Sequence, residues 1–241
     1  MKFPIAHRGL WNLEIPENSL ASFECAILRD YPIELDIRLT DDDTLVVFHD
    51  ETLKRMTQSD GYISNVKASE LKNYSLLGTS QTIPTLCETL ELIAGRTPVL
   101  IELKNFDKVG IMESRLGEIL NNYKGDFAIQ SFNPHSLEYF ATRYPGFLRG
   151  LLGMNFTKEE QPSLIKRYML TRLKYNHLAK PDFIGWRAGD LPSKFVTRAN
   201  LPVIAYTVRS NAELERVLPH CNNVVFEKFI PQITKEFGTL I

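Results

Sequence analysis

The chain has 241 residues, with 28 Lys plus Arg against 29 Asp plus Glu, a formal net charge of −1, and 44% hydrophobic residues. These are the proportions of an ordinary globular protein, and the charge balance excludes electrostatic capture of nucleic acid or of an anionic membrane surface. No apolar run approaches the roughly 20 residues of a membrane span, so any anionic ligand must be gripped by local charge.

Short apolar runs alternate with longer helical patterns. The runs at 3–6, 33–37, 99–103, 127–129, 148–152, 183–185, 203–206 and 224–226 predict strands. Several are continuously hydrophobic, as in strands covered on both faces. Helices are predicted over 18–29, 85–94, 111–122, 134–143, 158–175, 191–199, 211–218 and 231–237. Asn18 is placed to cap the first of these, and Pro134 and Pro231 fall in first turns, where a missing N–H costs nothing. Eight strands alternating with eight helices predict a single (β/α)₈ barrel spanning 1–241, because helical crossovers bury both faces of a parallel sheet. A doubly wound open sheet is the alternative that the pattern leaves standing. Between the second strand and its helix lies a long insertion, about residues 50–84, preceded by the apolar run 45–48. Insertions of this length in a compact domain are usually functional.

Cys25, Cys87 and Cys221 have neither metal-binding spacing nor the density of a disulfide framework. Cys25 and Cys87 are expected in the core. The segment MKFPIAHRG is too short and too polar for a signal peptide, which sets the expectation of a reduced, cytoplasmic location without a stable membrane anchor. Nothing indicates a homo-oligomer.

Polar residues interrupt the apolar runs at strand ends. His7 and Arg8 follow the first, Glu34 and Asp36 lie in the second, His49 and Asp50 follow 45–48, and Glu102 and Lys104 close the third. In a (β/α)₈ barrel the C-terminal strand ends share one face, and that face holds the active site. Glu34 and Asp36 are two apart on a strand and point the same way. Such a pair repels itself unless a proton or cation intervenes. With Glu102 on the neighbouring strand, three hard oxygen donors converge, a set suited to one divalent cation, Mg²⁺ or Ca²⁺. His7 and His49 beside them suit acid–base work near neutral pH. Arg8 and Lys104 supply charge for a phosphate. Phe132, Trp186 and Tyr206 are expected at the rim of the pocket.

The ordered motifs His7-Arg8-Gly9, Pro16-Glu17-Asn18-Ser19, Ile33-Glu34-Leu35-Asp36, Val46-Val47-Phe48-His49-Asp50, Leu53-Lys54-Arg55-Met56-Thr57, Ile83-Pro84-Thr85-Leu86 and Ile101-Glu102-Leu103-Lys104 resemble the glycerophosphodiester phosphodiesterases. Gln130-Ser131-Phe132 continues the likeness, which is looser around Tyr206-Thr207-Val208-Arg209 and from Phe226 to Pro231. The resemblance implies a TIM barrel with a small insertion after the second strand and metal ligation by Glu34, Asp36 and Glu102. It also implies an acid–base pair in His7 and His49, with Arg8 and Lys104 near the phosphate. The implied reaction is metal-dependent hydrolysis of a small glycerophosphodiester to sn-glycerol 3-phosphate and an alcohol, through a cyclic glycerol phosphate, within glycerol and lipid metabolism. A phospholipase D-like or lysophospholipid phosphodiesterase, and a non-catalytic phosphodiester-binding barrel, are the alternatives. Tyr206 stands where such enzymes often have Trp and Glu227 where they have Asp, departures that bear on the shape of the alcohol pocket.

Overall fold

The computed structural model describes residues 3–105, 108–160 and 163–232. In chain order the elements are β1 (Ile5–His7), α1 (Leu20–Ile27), β2 (Ile33–Leu39), β3 (Leu45–Val47), α2 (Lys54–Thr57), α3 (Leu86–Ile93), β4 (Val99–Leu103), α4 (Ile111–Asn122), β5 (Phe127–Ser131), α5 (Pro134–Arg143), β6 (Arg149–Gly153), α6 (Leu164–Thr171), α7 (Asn176–Ala179), β7 (Phe183–Arg187), α8 (Lys194–Ala199), β8 (Val203–Val208), α9 (Asn211–Val217) and β9 (Asn223–Phe226). The strand order β1-β9-β8-β7-β6-β5-β4-β2-β3, with β1 also pairing β2, returns on itself. The fold is therefore a (β/α)₈ barrel, with β3 appended antiparallel to β2, and the open-sheet alternative falls away.

The chain divides into two compact units: residues 6–127, and residues 3–5 with 128–232 among those described. In the first, the parallel register of β2 sets Ile33 against Ala6 of β1 and Val99 of β4. α1 is capped by Ser19 rather than by the expected Asn18. The Ser19 hydroxyl accepts from the Ser22 N–H, and the Ser22 hydroxyl accepts from the Ser19 N–H at 3.2 Å, a reciprocal cap that satisfies two orphan donors. Asn18 is held at φ 52° and turns its side chain elsewhere. α3 is capped the same way by Thr85 and Glu88.

The insertion has a core of its own. Val46, Phe48, Leu53, Met56, Ile63, Val66, Leu71, Leu76 and Ile83 are buried together, which anchors the segment on β3 rather than leaving it a loop.

In the second unit, β6 to β9 run parallel, with a shift of register between Ala205 and Val208 where β8 pairs with β9. Their core gathers Leu151, Ile184, Trp186, Ala205, Leu214, Val217 and Val224. A Cβ at Gly153 would sit 2.6 Å from Trp186 Cζ3, so the indole occupies space that only glycine leaves. The helix expected over 158–175 shortens to α6, with α7 following, and that over 191–199 starts only at Lys194, beyond Pro192. The helix expected over 231–237 lies largely outside the described residues. Cys87 is exposed, against expectation, and Cys25 and Cys221 are partly buried; all three are free thiols.

Candidate active site

The site is built within residues 6–127, and strand register builds it. His7 pairs with Glu34 across β1 and β2, while Asp36 pairs with Glu102 across β2 and β4. Neighbours in a parallel sheet that share a face bring their side chains together, so two registers assemble four functional groups. The antiparallel return of β3 adds the next: Phe48 N donates to Asp36 O at 2.9 Å, which delivers His49 beside β2. After β1 the chain reverses at once, with Arg8 at φ 58° and Gly9 at φ 79°. A Cβ at Gly9 would approach the Ser22 backbone carbon to 2.8 Å, so this turn requires glycine.

The oxygens of Glu34, Asp36 and Glu102 lie within 4.8 Å of one another. All three side chains are buried, Asp36 completely. Around Asp36 the cations converge: Arg8 Nε lies 3.1 Å from Oδ2, Lys104 Nζ lies 3.0 Å from Oδ1, and Asn18 Nδ2 donates to Oδ2 at 3.0 Å. Lys104 Nζ also reaches Glu102 Oε1 at 2.5 Å. His7 Nε2 stands 3.9 Å from Glu34 Oε2, and the Arg8 N–H donates to the same oxygen at 3.1 Å.

These surroundings set the carboxyls against each other. Burial, with Asp36 and Glu102 nearby, pushes Glu34 well above the usual carboxylate range. Burial also acts to raise Asp36, but Lys104 and Arg8 outweigh it and hold Asp36 well below that range. Glu102 is raised by burial, with Lys104 pulling against it, and the same carboxylates raise Lys104 against its own desolvation.

A second layer was not assigned by residue chemistry, although its members stand in the quoted motifs. Glu17 accepts from Arg8 Nη1 and Arg55 Nη2, each at 2.7 Å. Arg55 also grips Asp50, Nε to Oδ2 at 2.6 Å, and Asp50 Oδ1 lies 2.7 Å from His49 Nδ1. A continuous chain therefore runs Asp36, Arg8, Glu17, Arg55, Asp50, His49. Arg55 and His49 hold Asp50 down to about 2, against its burial. Burial lowers His49 to about 4, against the attraction of Asp36. Arg38, two residues beyond Asp36 on the same face of β2, donates from Nε to His49 O at 2.7 Å.

All seven residues expected in the chemistry (His7, Arg8, Glu34, Asp36, His49, Glu102 and Lys104) thus meet in one cluster. The rim residues fare differently. Trp186 is fully buried in the apolar core of the other unit and is not a rim residue. Phe132 and Tyr206 also belong to that unit, with ring centroids 6.0 Å apart and edge to face; the Tyr206 hydroxyl donates to Gly153 O at 2.9 Å.

The donor set fits a hard divalent cation. Asp36 Oδ1 is buried and accepts no well-directed hydrogen bond, Lys104 approaching it off the hydrogen-bonding direction. Two carboxyls raised by burial and by the neighbouring charge of Asp36 are the groups that a dication would stabilise in ionised form.

A barrel whose strand ends carry this carboxylate and histidine cluster falls in the class of α/β-barrel proteins built around a buried acidic site. The model of the glycerophosphoryl diester phosphodiesterase family matches residues 7–226, and the chain belongs to that family. A glycerophosphodiester phosphodiesterase of Caldanaerobacter subterraneus is 36% identical over 159 residues, covering 61% of this chain and 65% of that protein. One from Bacillus altitudinis is 35% identical over 164 residues, covering 62% and 66%. These matches span less than two thirds of each relative's own length. Among solved structures, an Oleispira antarctica phosphodiesterase in complex with the product sn-glycerol-3-phosphate is similar in fold, with TM-score 0.77 and 24% identity over 92% of this chain and 91% of that one. A Thermotoga maritima glycerophosphodiester phosphodiesterase gives TM-score 0.72 at 22% identity, covering 94% and 95%.

Proposed function

We propose that this protein hydrolyses glycerophosphodiesters to sn-glycerol 3-phosphate and an alcohol, with Glu34, Asp36 and Glu102 holding one divalent cation, Mg²⁺ or Ca²⁺. The observation that carries this reading is the convergence of three buried carboxylates with two histidines, an arginine and a lysine in one cluster. A purely structural role is a poor account of it, because buried charge costs several kcal/mol per ion. Bound there, the cation supplies Lewis acidity, offsetting charge on the phosphoryl oxygens.

The protein's own groups divide the remaining work. Arg8 and Lys104, held by the buried carboxylates, present positive charge to the phosphate. His49 places Nδ1 against Asp50. An ionised Asp50 carboxylate can only accept, which supports a proton on Nδ1 and an Nε2 lone pair as acceptor. With its pKa lowered to about 4, His49 is neutral near pH 7, the form a base requires. In the first step a glycerol hydroxyl attacks phosphorus and gives its proton to His49. The bond from phosphorus to the alcohol oxygen breaks, and His7 protonates that oxygen. In the second step water opens the cyclic phosphate. His7 now takes the water proton and His49 returns its own to the glycerol oxygen, so both histidines end as they began.

The test is release of sn-glycerol 3-phosphate from glycerophosphocholine and glycerophosphoethanolamine, with Mg²⁺, Ca²⁺ or EDTA present. Product that depends on the cation is expected. No product from either diester, in folded protein with the cation shown to be bound, overturns the reading.

A further inference from the structure

Beside the carboxylate cluster, and within the same unit, lies a groove of about 930 Å³. The end of β2, part of the insertion, and Asn105 with residues 108–112 line it, with Arg38, Glu51, Tyr62, Lys104, Lys108 and Ile111 among the lining residues. Lys104 joins it to the site, since its Nζ touches Asp36 and Glu102. Tyr62 and Ile111 are half exposed and give the groove apolar surface.

Arg38 is the unusual member. Arg8, Arg55, Arg149 and Arg187 all end on carboxylates within salt-bridge distance. Arg38 does not: Nε is committed to His49 O, and neither Nη group meets an acceptor among the described residues. Its side chain is partly buried, on the face of β2 that also carries Glu34 and Asp36. A guanidinium is a fixed fork of donors suited to phosphate and carboxylate, and this one is anchored at one edge with its other edge open. Lys104 faces Asp36 and Glu102 at the site's end of the groove. Among the described lining residues the other charges are Arg38 and Lys108 against Glu51, and Arg38 also lies in the field of Asp36, Asp50 and Glu102.

We infer that the groove seats the departing alcohol of the diester, and that Arg38 selects an alcohol that itself carries an anionic group, such as a phosphomonoester. The inference rests on the proposed phosphodiesterase activity. The glycerol end of such a diester is small and uncharged, and it needs neither this volume nor an open guanidinium; the variable end does. A cationic alcohol such as choline would meet Glu51 and Tyr62 but also the repulsion of Arg38 and Lys108.

The experiment compares kcat/KM for glycerophosphoinositol 4-phosphate, glycerophosphoinositol and glycerophosphocholine in the wild type, Arg38→Gln, Arg38→Lys and Glu51→Gln. The wild type is expected to prefer the phosphorylated alcohol. Arg38→Gln is expected to raise KM about tenfold more for that substrate than for the other two, as for one charge-assisted contact, while any loss of kcat common to all three reports the lost bond to His49 O. Arg38→Lys retains part of the preference and Glu51→Gln increases it. Equal losses on all three substrates, or a wild type that prefers choline, overturn the inference while leaving the activity intact. Calorimetric titration with inositol 4-phosphate reads the groove without turnover. Binding weakened about tenfold in Arg38→Gln upholds the inference even if no diester is cleaved, an outcome that would sink the activity alone. Equal binding by folded wild type and Arg38→Gln sinks the inference.

Discussion

The two units use the same strand–helix repeat to opposite ends. β2 buries Glu34 and Asp36, at 1% and 0% exposure, whereas β7 buries Ile184 and Trp186, both at 0%. Buried apolar surface stabilises a fold, at about 25 cal/mol per Å². Buried charge costs desolvation that its partners only partly offset. The unit 6–127 therefore spends stability on chemistry, and the unit with 128–232 supplies packing. Arginines divide in the same way. Arg149 in the second unit is buried and ends on the carbonyls of Pro145, Phe147 and Lys180, beside Asp182. Arg38 in the first has no such closure.

The contrast is broken or sharpened by substitutions on each side. The largest effect is expected from His7→Ala and His49→Ala, each lowering turnover by about 10²–10⁴ with little change in unfolding temperature. Full rates in both variants would defeat the acid–base assignment. Next comes Trp186→Ala, expected to lower stability by about 3–5 kcal/mol in urea unfolding while cation affinity of the folded protein stays the same. A variant that kept its stability but lost the cation would erase the distinction between the units. Glu34→Gln is a milder change. It should weaken cation binding by calorimetry, and excess cation should restore part of the activity. In EDTA its melting temperature should stay near the wild type, because burial already disfavours the ionised carboxylate there.

The smallest effect concerns acid stability. Asp50 lies at about 2 in the folded protein, below its ordinary 3.8. A depressed acid favours the folded state above its unfolded value and loses that favour as pH falls toward the folded one. The melting-temperature difference between wild type and Asp50→Asn should thus be full near pH 6 and shrink as pH falls below about 4. A difference that is constant across this range would mean that Arg55 does not stabilise the ionised form.

Seven groups of the cluster were legible because each ends or interrupts an apolar run. Period-two spacing sets Glu34 beside Asp36 and Glu102 beside Lys104 on common faces. The layer that orients them was not. Glu17 meets Arg55 across 38 positions, and no local periodicity records a contact of that range. Asn18 looks like a helix cap by composition, yet its side chain goes to Asp36 because Ser19 and Ser22 close the helix between themselves. Trp186 was misplaced at the rim for a related reason. Its position at a strand end suits a pocket wall, but the room left by Gly153 draws the indole into the core.

By itself the sequence determined the alternation of strands and helices and which strand ends carry carboxylates, histidines and cations, because hydrophobic period and side-chain chemistry are local properties; closure of the sheet into a barrel came from the tertiary structure. Only the tertiary structure decided which charges pair. Registers of β1, β2 and β4 choose the neighbours, the buried core of the insertion fixes where His49, Asp50 and Arg55 stand, and Arg38 at the end of β2 meets the His49 carbonyl rather than a carboxylate.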